Sequence, residues 1–381
     1  MAPYNLAPRL ETDGLRGTTV TNTTIPASAR LDQRRANWMA GWLLGVAGMV
    51  FFMIILGGLT RLTHSGLSMV EWKLFTGWIP PMNDVDWSEL FDKYQNFPEF
   101  HKVNADMTLE GFKGIFWLEF IHRAWGRMIG FAFFLPFAAF LVMRWVRVSD
   151  GLFWKFLGLL ILGASQGVMG WYMVMSGLVD RPDVSQYRLT AHFGLALAII
   201  AALLWVAMGL LKRAPYDAHH QDPENLGRWA FWLFALISLT ALSGGFVAGT
   251  DAGFAYNTFP LMDGALIPGG LFDYAPAWLA PFEDITTVQF NHRTLAELTV
   301  VLVLVFWVKS VDKHLAPRTR RAIALFGMMA LAQVGLGVTT LLMVVPVALG
   351  SLHQMGAVVL FSLALWCLHE LRAPALDARS S

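Results

Sequence analysis

Eight runs of mostly apolar residues, each about 20 long or longer, divide this chain and decide most of what it can become. They lie near 38–60, 119–143, 152–176, 187–211, 229–249, 290–310, 321–343 and 347–371. A helix needs about 20 such residues to cross the hydrocarbon core of a bilayer. Of the 381 residues, 56% are hydrophobic and 14% charged, against about 25% charged in an average soluble protein. That balance excludes an ordinary water-soluble enzyme and a disordered chain. The first run lies too far in, and is too long, for a cleaved signal peptide. A net charge of +1 gives no reason to expect nucleic acid. The one cysteine, Cys367, cannot form an internal disulfide or a thiolate metal cluster. The expected class is an all-α integral membrane protein with eight transmembrane helices.

Charges at the span ends predict orientation. Arg30, Arg34 and Arg35 precede the first span, and Arg144, Arg147 and Lys155 join the second and third. Lys212, Arg213 and Arg228 flank the next loop on that side, Lys309 to Arg321 the one after, and Arg372 and Arg379 follow the last span. The opposite segment from Thr250 to Asn291 has no Lys or Arg. The positive-inside rule then places both termini in the cytoplasm or its organellar equivalent. The organisation expected is a polar tail over 1–37, a four-helix half over 38–211 with a large outer loop at 61–118, a linker over 212–228, a second four-helix half over 229–371, and a tail over 372–381. Arg9, Arg16, Arg30, Arg34 and Arg35 in the first tail resemble a transit peptide, but Glu11, Asp13 and Asp32 argue against one, favouring a bacterial inner membrane over a mitochondrial one. In the outer loop, Asp86 and Glu89 are spaced as a capping box, and Trp87, Leu90, Phe91 and Tyr94 share one helical face. That pattern reads as a short helix resting on the membrane interface or covering a site at the outer surface.

The chain also repeats itself. GGLTRLTHSGLSM from Gly57 pairs with GGFVAGTDAGFAYNTFPLM from Gly244. Glu119-x-x-His122-Arg123 pairs with Gln289-x-x-His292-Arg293, Gln166-Gly167-x-x-Gly170 with Gln333-x-Gly335-x-Gly337, and His192 with His353. Each unit holds four spans, an even number, so both insert the same way round. Two parallel-repeat four-helix bundles about an axis along the membrane normal are expected.

Of ten histidines, His219, His220, His314 and His369 fall in or beside cytoplasmic segments and read as solvated or interfacial; His64 and His101 fall in the first outer loop. His122, His192, His292 and His353 all fall near the outer ends of even-numbered spans. Ionisable groups inside spans are costly, and four at one depth, two per repeat, point to a shared task. Two facing imidazoles in a four-helix bundle suit axial ligation of haem iron. A non-haem site of the Glu-x-x-His type needs more carboxylates than Glu119, whose counterpart is Gln289. Plain core histidines are the third reading. Arg123, Arg127 and Arg293 are placed either to pair with haem propionates or to anchor the helices at the interface. Gly194 and Ala196, like Gly356 and Ala357, would let a flat macrocycle approach, and they also suit helix packing. Glu119, one turn from His122, is a candidate for moving a proton or supporting a ligand. On these residues alone, a haem-modifying oxidoreductase and a dihaem electron-transfer protein stay open, with a transporter behind them. Grouping all four ligands on one side counts against a carrier that moves electrons across the membrane.

The segments GGLTRLTHSGLSMVEW, Pro80-Pro81, Tyr94-Gln95, EFIHRAWGRMIG, the His192 region, QFNHRTLAEL and SLHQMGA resemble the haem A synthase family over nearly the whole chain after residue 38. The resemblance implies eight spans and two haem sites. It implies a resident haem b between His292 and His353, and a substrate haem O facing His122 and His192. Oxidation of the C8 methyl of haem O to the formyl of haem A follows from it, through the alcohol haem I and a geminal diol, with Glu119 as the functional glutamate. It further implies a haem O synthase as supplier, cytochrome c oxidase assembly factors as partners and an unidentified electron donor, in a lipid bilayer, with homo-oligomers compatible and no nucleic acid. Some members carry outer-loop cysteine pairs; this chain has none there, so it resembles the cysteine-free branch of mitochondria and proteobacteria.

Overall fold

The computed structural model describes residues 27–72, 77–178, 183–211 and 225–372, the side chains of 27–31 apart. Most of the expected linker, with Lys212, Arg213, His219 and His220, lies outside the described residues, as do 1–26 and 373–381. The described residues form helices α1 (Ala27–Leu62), α2 (Asp84–Gln95), α3 (Pro98–Val103), α4 (Leu109–Val142), α5 (Gly151–Gly177), α6 (Gln186–Leu211), α7 (Leu226–Gly249), α8 (Ala280–Glu283), α9 (Ile285–Ser310), α10 (Pro317–Leu342) and α11 (Val347–Leu371). No β-strand occurs among them beyond one bridge between Met262 and Ala265.

Seven helices, α1, α4, α5, α6, α7, α10 and α11, are long and apolar enough to cross a membrane. The eighth long helix, α9, has 26 residues and contains the run 290–310, and it carries Arg293, Glu297 and Lys309. Inward faces are closely packed, with Leu43, Ala207, Phe306 and Val358 fully buried. Outward faces are equally apolar: Leu135, Ile161, Trp232 and Val308 lie more than half exposed along their helices. A continuous apolar exterior of this kind needs lipid rather than water around it.

In the first half, α1 and α5 each pack against both α4 and α6. In the second, α7 and α10 each pack against both α9 and α11. The histidine-bearing helices of each half, α4 with α6 and α9 with α11, therefore sit at opposite corners rather than side by side. The halves meet where α1 touches α11 and α6 touches α7 and α11. Arg61 at the end of α1 crosses this boundary to Asp251 at 2.9 Å.

Helix α4 starts at Leu109, well before the expected 119, because Thr108 caps it by accepting from Gly111 N at 3.3 Å. Its 34 residues span about 51 Å at 1.5 Å per residue, more than the hydrocarbon core. The extension carries Phe112, Phe116 and Phe120, which pack with Trp87 and Tyr94 of α2 in an outer cluster. The α2 helix thus uses its apolar face on α4 rather than on lipid alone. Its cap is Asn83, three residues ahead of the expected one; Asn83 Oδ1 accepts from Asp86 N at 2.9 Å, and Asp86 reaches back to Met82 N at 3.2 Å. His369 departs from the solvated reading: it is fully buried, edge-on to Trp205 with ring centroids 5.0 Å apart.

Candidate functional site

Each of the four span histidines lies against a glycine of a neighbouring helix. A Cβ on Gly57 would stand 3.2 Å from His122 Cε1, and one on Gly170 would stand 3.2 Å from His192 Cε1. In the second half the same distances are 3.1 Å for Gly244 and His292, and 2.9 Å for Gly337 and His353. Hydrogen is the largest substituent these positions accept without moving the ring. His122 and His192 lie within electrostatic reach of each other, as do His292 and His353. Two histidines per half thus approach each other from opposite corners of a four-helix packing.

The ring nitrogens differ between the halves. His292 Nδ1 lies 2.8 Å from Ser243 Oγ, and Ser243 donates its only hydroxyl hydrogen to Thr240 O at 2.7 Å. With that hydrogen on Thr240 O, Ser243 is placed to accept from His292 Nδ1–H, the tautomer that leaves the Nε2 lone pair available. Gln333 Nε2 donates to His353 O at 2.9 Å and faces His353 Nδ1 at 3.1 Å. In the first half Gln166 Nε2 donates to His192 O at 3.1 Å and faces the other ring nitrogen, Nε2, at 3.4 Å. Nδ1 of His122 and of His192 is buried with no hydrogen-bond partner.

Polar groups beside the histidines hold the loops that follow α1 and α7. Glu119 is buried; Arg123 is paired with its Oε1, while Oε2 accepts from Ser68 Oγ at 2.7 Å and Met69 N at 2.6 Å. Gln289 is also buried, but it donates, to Ala252 O at 2.7 Å and Ala255 O at 2.6 Å. Arg123 donates to Met69 O and Glu71 O, and Arg293 donates to Tyr256 O and Thr258 O. Arg127 donates to Gly77 O at 2.7 Å and lies over the Trp78 ring. The arginines thus clamp loop backbone near the outer helix ends. Gly194 and Gly356 are taken up by helix packing: a Cβ would stand 2.9 Å from Leu242 Cδ2 and 2.2 Å from Gln333 Oε1, respectively. Those two faces are closed to a macrocycle because neighbouring side chains already fill them.

These residues fit haem better than a lone metal ion. Among the described residues no three His, Cys, Asp or Glu side chains come together as a metal-ion site requires. What recurs is a pair of imidazoles, backed by glycine and with buried nitrogens unpaired in the first half. Two axial donors are what a haem iron needs, since the macrocycle supplies the other four.

A model of cytochrome oxidase assembly proteins, COX15-CtaA, matches residues 40–365. The chain belongs to this family. It is 52% identical over 335 residues to the heme A synthase of Paramagnetospirillum magneticum, covering 87% of this chain and 93% of that one. The heme A synthase of Nitrosospira multiformis is 50% identical over 355 residues, 93% of this chain and 99% of its own. Heme A synthase COX15 of Bos taurus is 44% identical over 353 residues, 91% of this chain and 85% of its own.

In this COX15-CtaA chain the structure brings the four histidines together in two pairs and sets Glu119 and the three arginines beside them. Ser243 carries little signal in the sequence beyond preceding the repeated glycine pair. Gly57, Gly170, Gly244 and Gly337 all stand in the aligned motifs, and their contacts with the histidine rings account for the repeat.

Proposed function

We propose that this protein is a haem A synthase acting on haem O, whose C8 methyl it oxidises in two hydroxylations, through haem I, to the formyl group of haem A. The observation that carries this reading is the histidine pair on opposite helices of each half, in a chain of this family. His292 and His353 are assigned to a resident haem b, and His122 and His192 to the iron of the substrate. A bound haem b supplies one-electron redox chemistry. The protein's own part is to orient the substrate through His122 and His192 and to hold the outer loop against the site. Glu119 stands one turn from His122, bonded to Arg123, Ser68 and Met69 N. It is assigned to proton handling at the reacting methyl, reached by exchanging one of those bonds. Arg123, Arg127 and Arg293 keep the surface-side carbonyls fixed where propionates would emerge.

The architecture that goes with this function has eight spans, with α9 as the eighth. They form two four-helix units related by a pseudo-twofold axis along the membrane normal, with both termini cytoplasmic. The contacts of Arg123 and Arg293, made at equivalent places in the two halves, support it. The membrane is taken as the bacterial inner membrane, with a haem O synthase supplying substrate, an oxidase assembly factor receiving product, and a separate electron donor. The dihaem electron carrier has no support among the relatives.

Mass analysis of haem extracted from membranes that make haem O, with and without this protein, tests the reading. Haem A or haem I appearing only with the protein is the expected result. Haem b bound to the protein with haem O unchanged would overturn it.

A further inference from the structure

We propose that Ser243 is a positioning residue that makes the second half the retaining haem site, and that Leu56 at the equivalent place leaves the first half able to release its haem. The inference rests on the assignment of His292 and His353 to a resident haem. In each half a histidine packs on the first glycine of a Gly-Gly pair, Gly57 under His122 and Gly244 under His292. The residue before that glycine is Leu56 in the first half and Ser243 in the second. Ser243 accepts from His292 Nδ1 at 2.8 Å because its own hydrogen goes to Thr240 O at 2.7 Å. Leu56 is buried and has no acceptor to offer, and His122 Nδ1 is buried without a partner. The glutamines act on the other histidine of each half: Gln166 and Gln333 both donate to its carbonyl, and only Gln333 also faces its Nδ1.

A hydrogen bond to Nδ1–H fixes the imidazole tautomer, sets the ring angle and raises the basicity of Nε2 toward iron. Loss of such a support costs about 10–100-fold in metal affinity. An enzyme that keeps one haem and must let another go needs this inequality between its sites. His292 has the support and His122 lacks it.

The test uses the full-length protein purified in detergent with its haem. Haem b transfer to excess apomyoglobin, the visible spectrum and the midpoint potential are followed. Ser243→Ala and Ser243→Val are expected to speed haem b loss about 10–100-fold and raise the midpoint potential. Ser243→Thr, which keeps the hydroxyl in the shape of Val, should restore both. Leu56→Ser, a change in the first half alone, should slow release of haem O or haem A. Equal retention and potential in the Val and Thr variants, or unchanged release from Leu56→Ser, would overturn the proposal. Haem b retained after His292→Ala would instead overturn the site assignment beneath it.

Discussion

The two halves use the same helix packing and the same glycine-backed histidines, yet they differ at two positions beside those histidines. Where the first half has Glu119, the second has Gln289; where the second has Ser243, the first has Leu56. The carboxylate accepts from a hydroxyl and a backbone N–H, whereas the amide donates to two carbonyls, so both hold the loop that follows the first helix of their half. Of the four span histidines, however, His122 has a carboxylate and its arginine partner one turn away, where His292 has Gln289. On the function proposed above, chemistry and retention fall to different halves through single side chains on a shared frame.

The strongest way to break this comparison is to delete the ligands themselves. His292→Ala or His353→Ala should abolish the resident haem b spectrum of the purified protein. His122→Ala or His192→Ala should leave that spectrum intact and stop haem A formation. Loss of haem b from a first-half variant would mean that the halves do not divide the work.

Next in size is the exchange of the buried acid and amide. Glu119→Gln keeps the side-chain shape but removes the charge that faces Arg123. If the carboxylate moves a proton, haem A formation should fall by about 100-fold or more, with haem b retained. Activity within a few-fold of wild type would reduce Glu119 to a loop clamp like Gln289. The reverse change, Gln289→Glu, should destabilise the protein, because a carboxylate would replace a donor facing Ala252 O and Ala255 O.

Smaller effects come from the glycines, whose size requirement is ordered by distance. Gly337→Ala brings a methyl to 2.9 Å from His353 and should lower haem b occupancy several-fold. Gly57→Ala, at 3.2 Å from His122, should spare haem b and raise the KM for haem O. Alanine favours a helix over glycine by about 1 kcal/mol, so thermal stability should hold or rise while occupancy falls. A parallel fall of both would point to general packing damage rather than ring displacement.

Much of this arrangement was legible before any coordinates. Helices α5, α6 and α11 begin and end within a residue of their apolar runs, because lipid imposes one composition along each span. The start of α4 was not legible: residues 109–118 mix Glu110 and Lys113 with aromatics, and hydropathy reports what crosses a membrane, not where a helix begins. The four histidines stood out because a buried ionisable group is expensive wherever it sits. The uses of Gly194 and Gly356 did not, since the face a helical glycine presents depends on which neighbour packs there. The three arginines lay between two readings that share one location, and only their bonds to Met69 O, Glu71 O, Gly77 O, Tyr256 O and Thr258 O show what they hold. Ser243 lay furthest from view, because its partner is 49 residues away and a helix serine bonded to its own backbone is commonplace.

The last difference between the halves lies outside the membrane and should grow as pH rises. The first half alone carries the α2–α3 cap, and within it Glu99 is buried at 3% exposure with Oε2 unpartnered. Burial raises its pKa to about 8; the hydrogen bond with Tyr94 opposes the rise, and the charges of Glu119 and Asp183 add to it. Tyr94 is itself raised, chiefly by burial, and accepts from Asn104 Nδ2 at 2.8 Å. A carboxyl whose folded pKa lies above its unfolded value keeps its proton on folding. Its contribution is therefore complete below the ordinary value of 4.5, falls progressively as pH rises above it, and is gone above about 8. Glu99→Gln, neutral at every pH, should match wild type at pH 4 and resist thermal unfolding better at pH 9. Limited proteolysis of the 61–108 segment should show the same trend, with wild type cut progressively faster than the variant as pH rises from 4 to 9. Equal protection of the two proteins at pH 9 would mean that Glu99 folds as an anion, with a counter-charge taking the place of the proton.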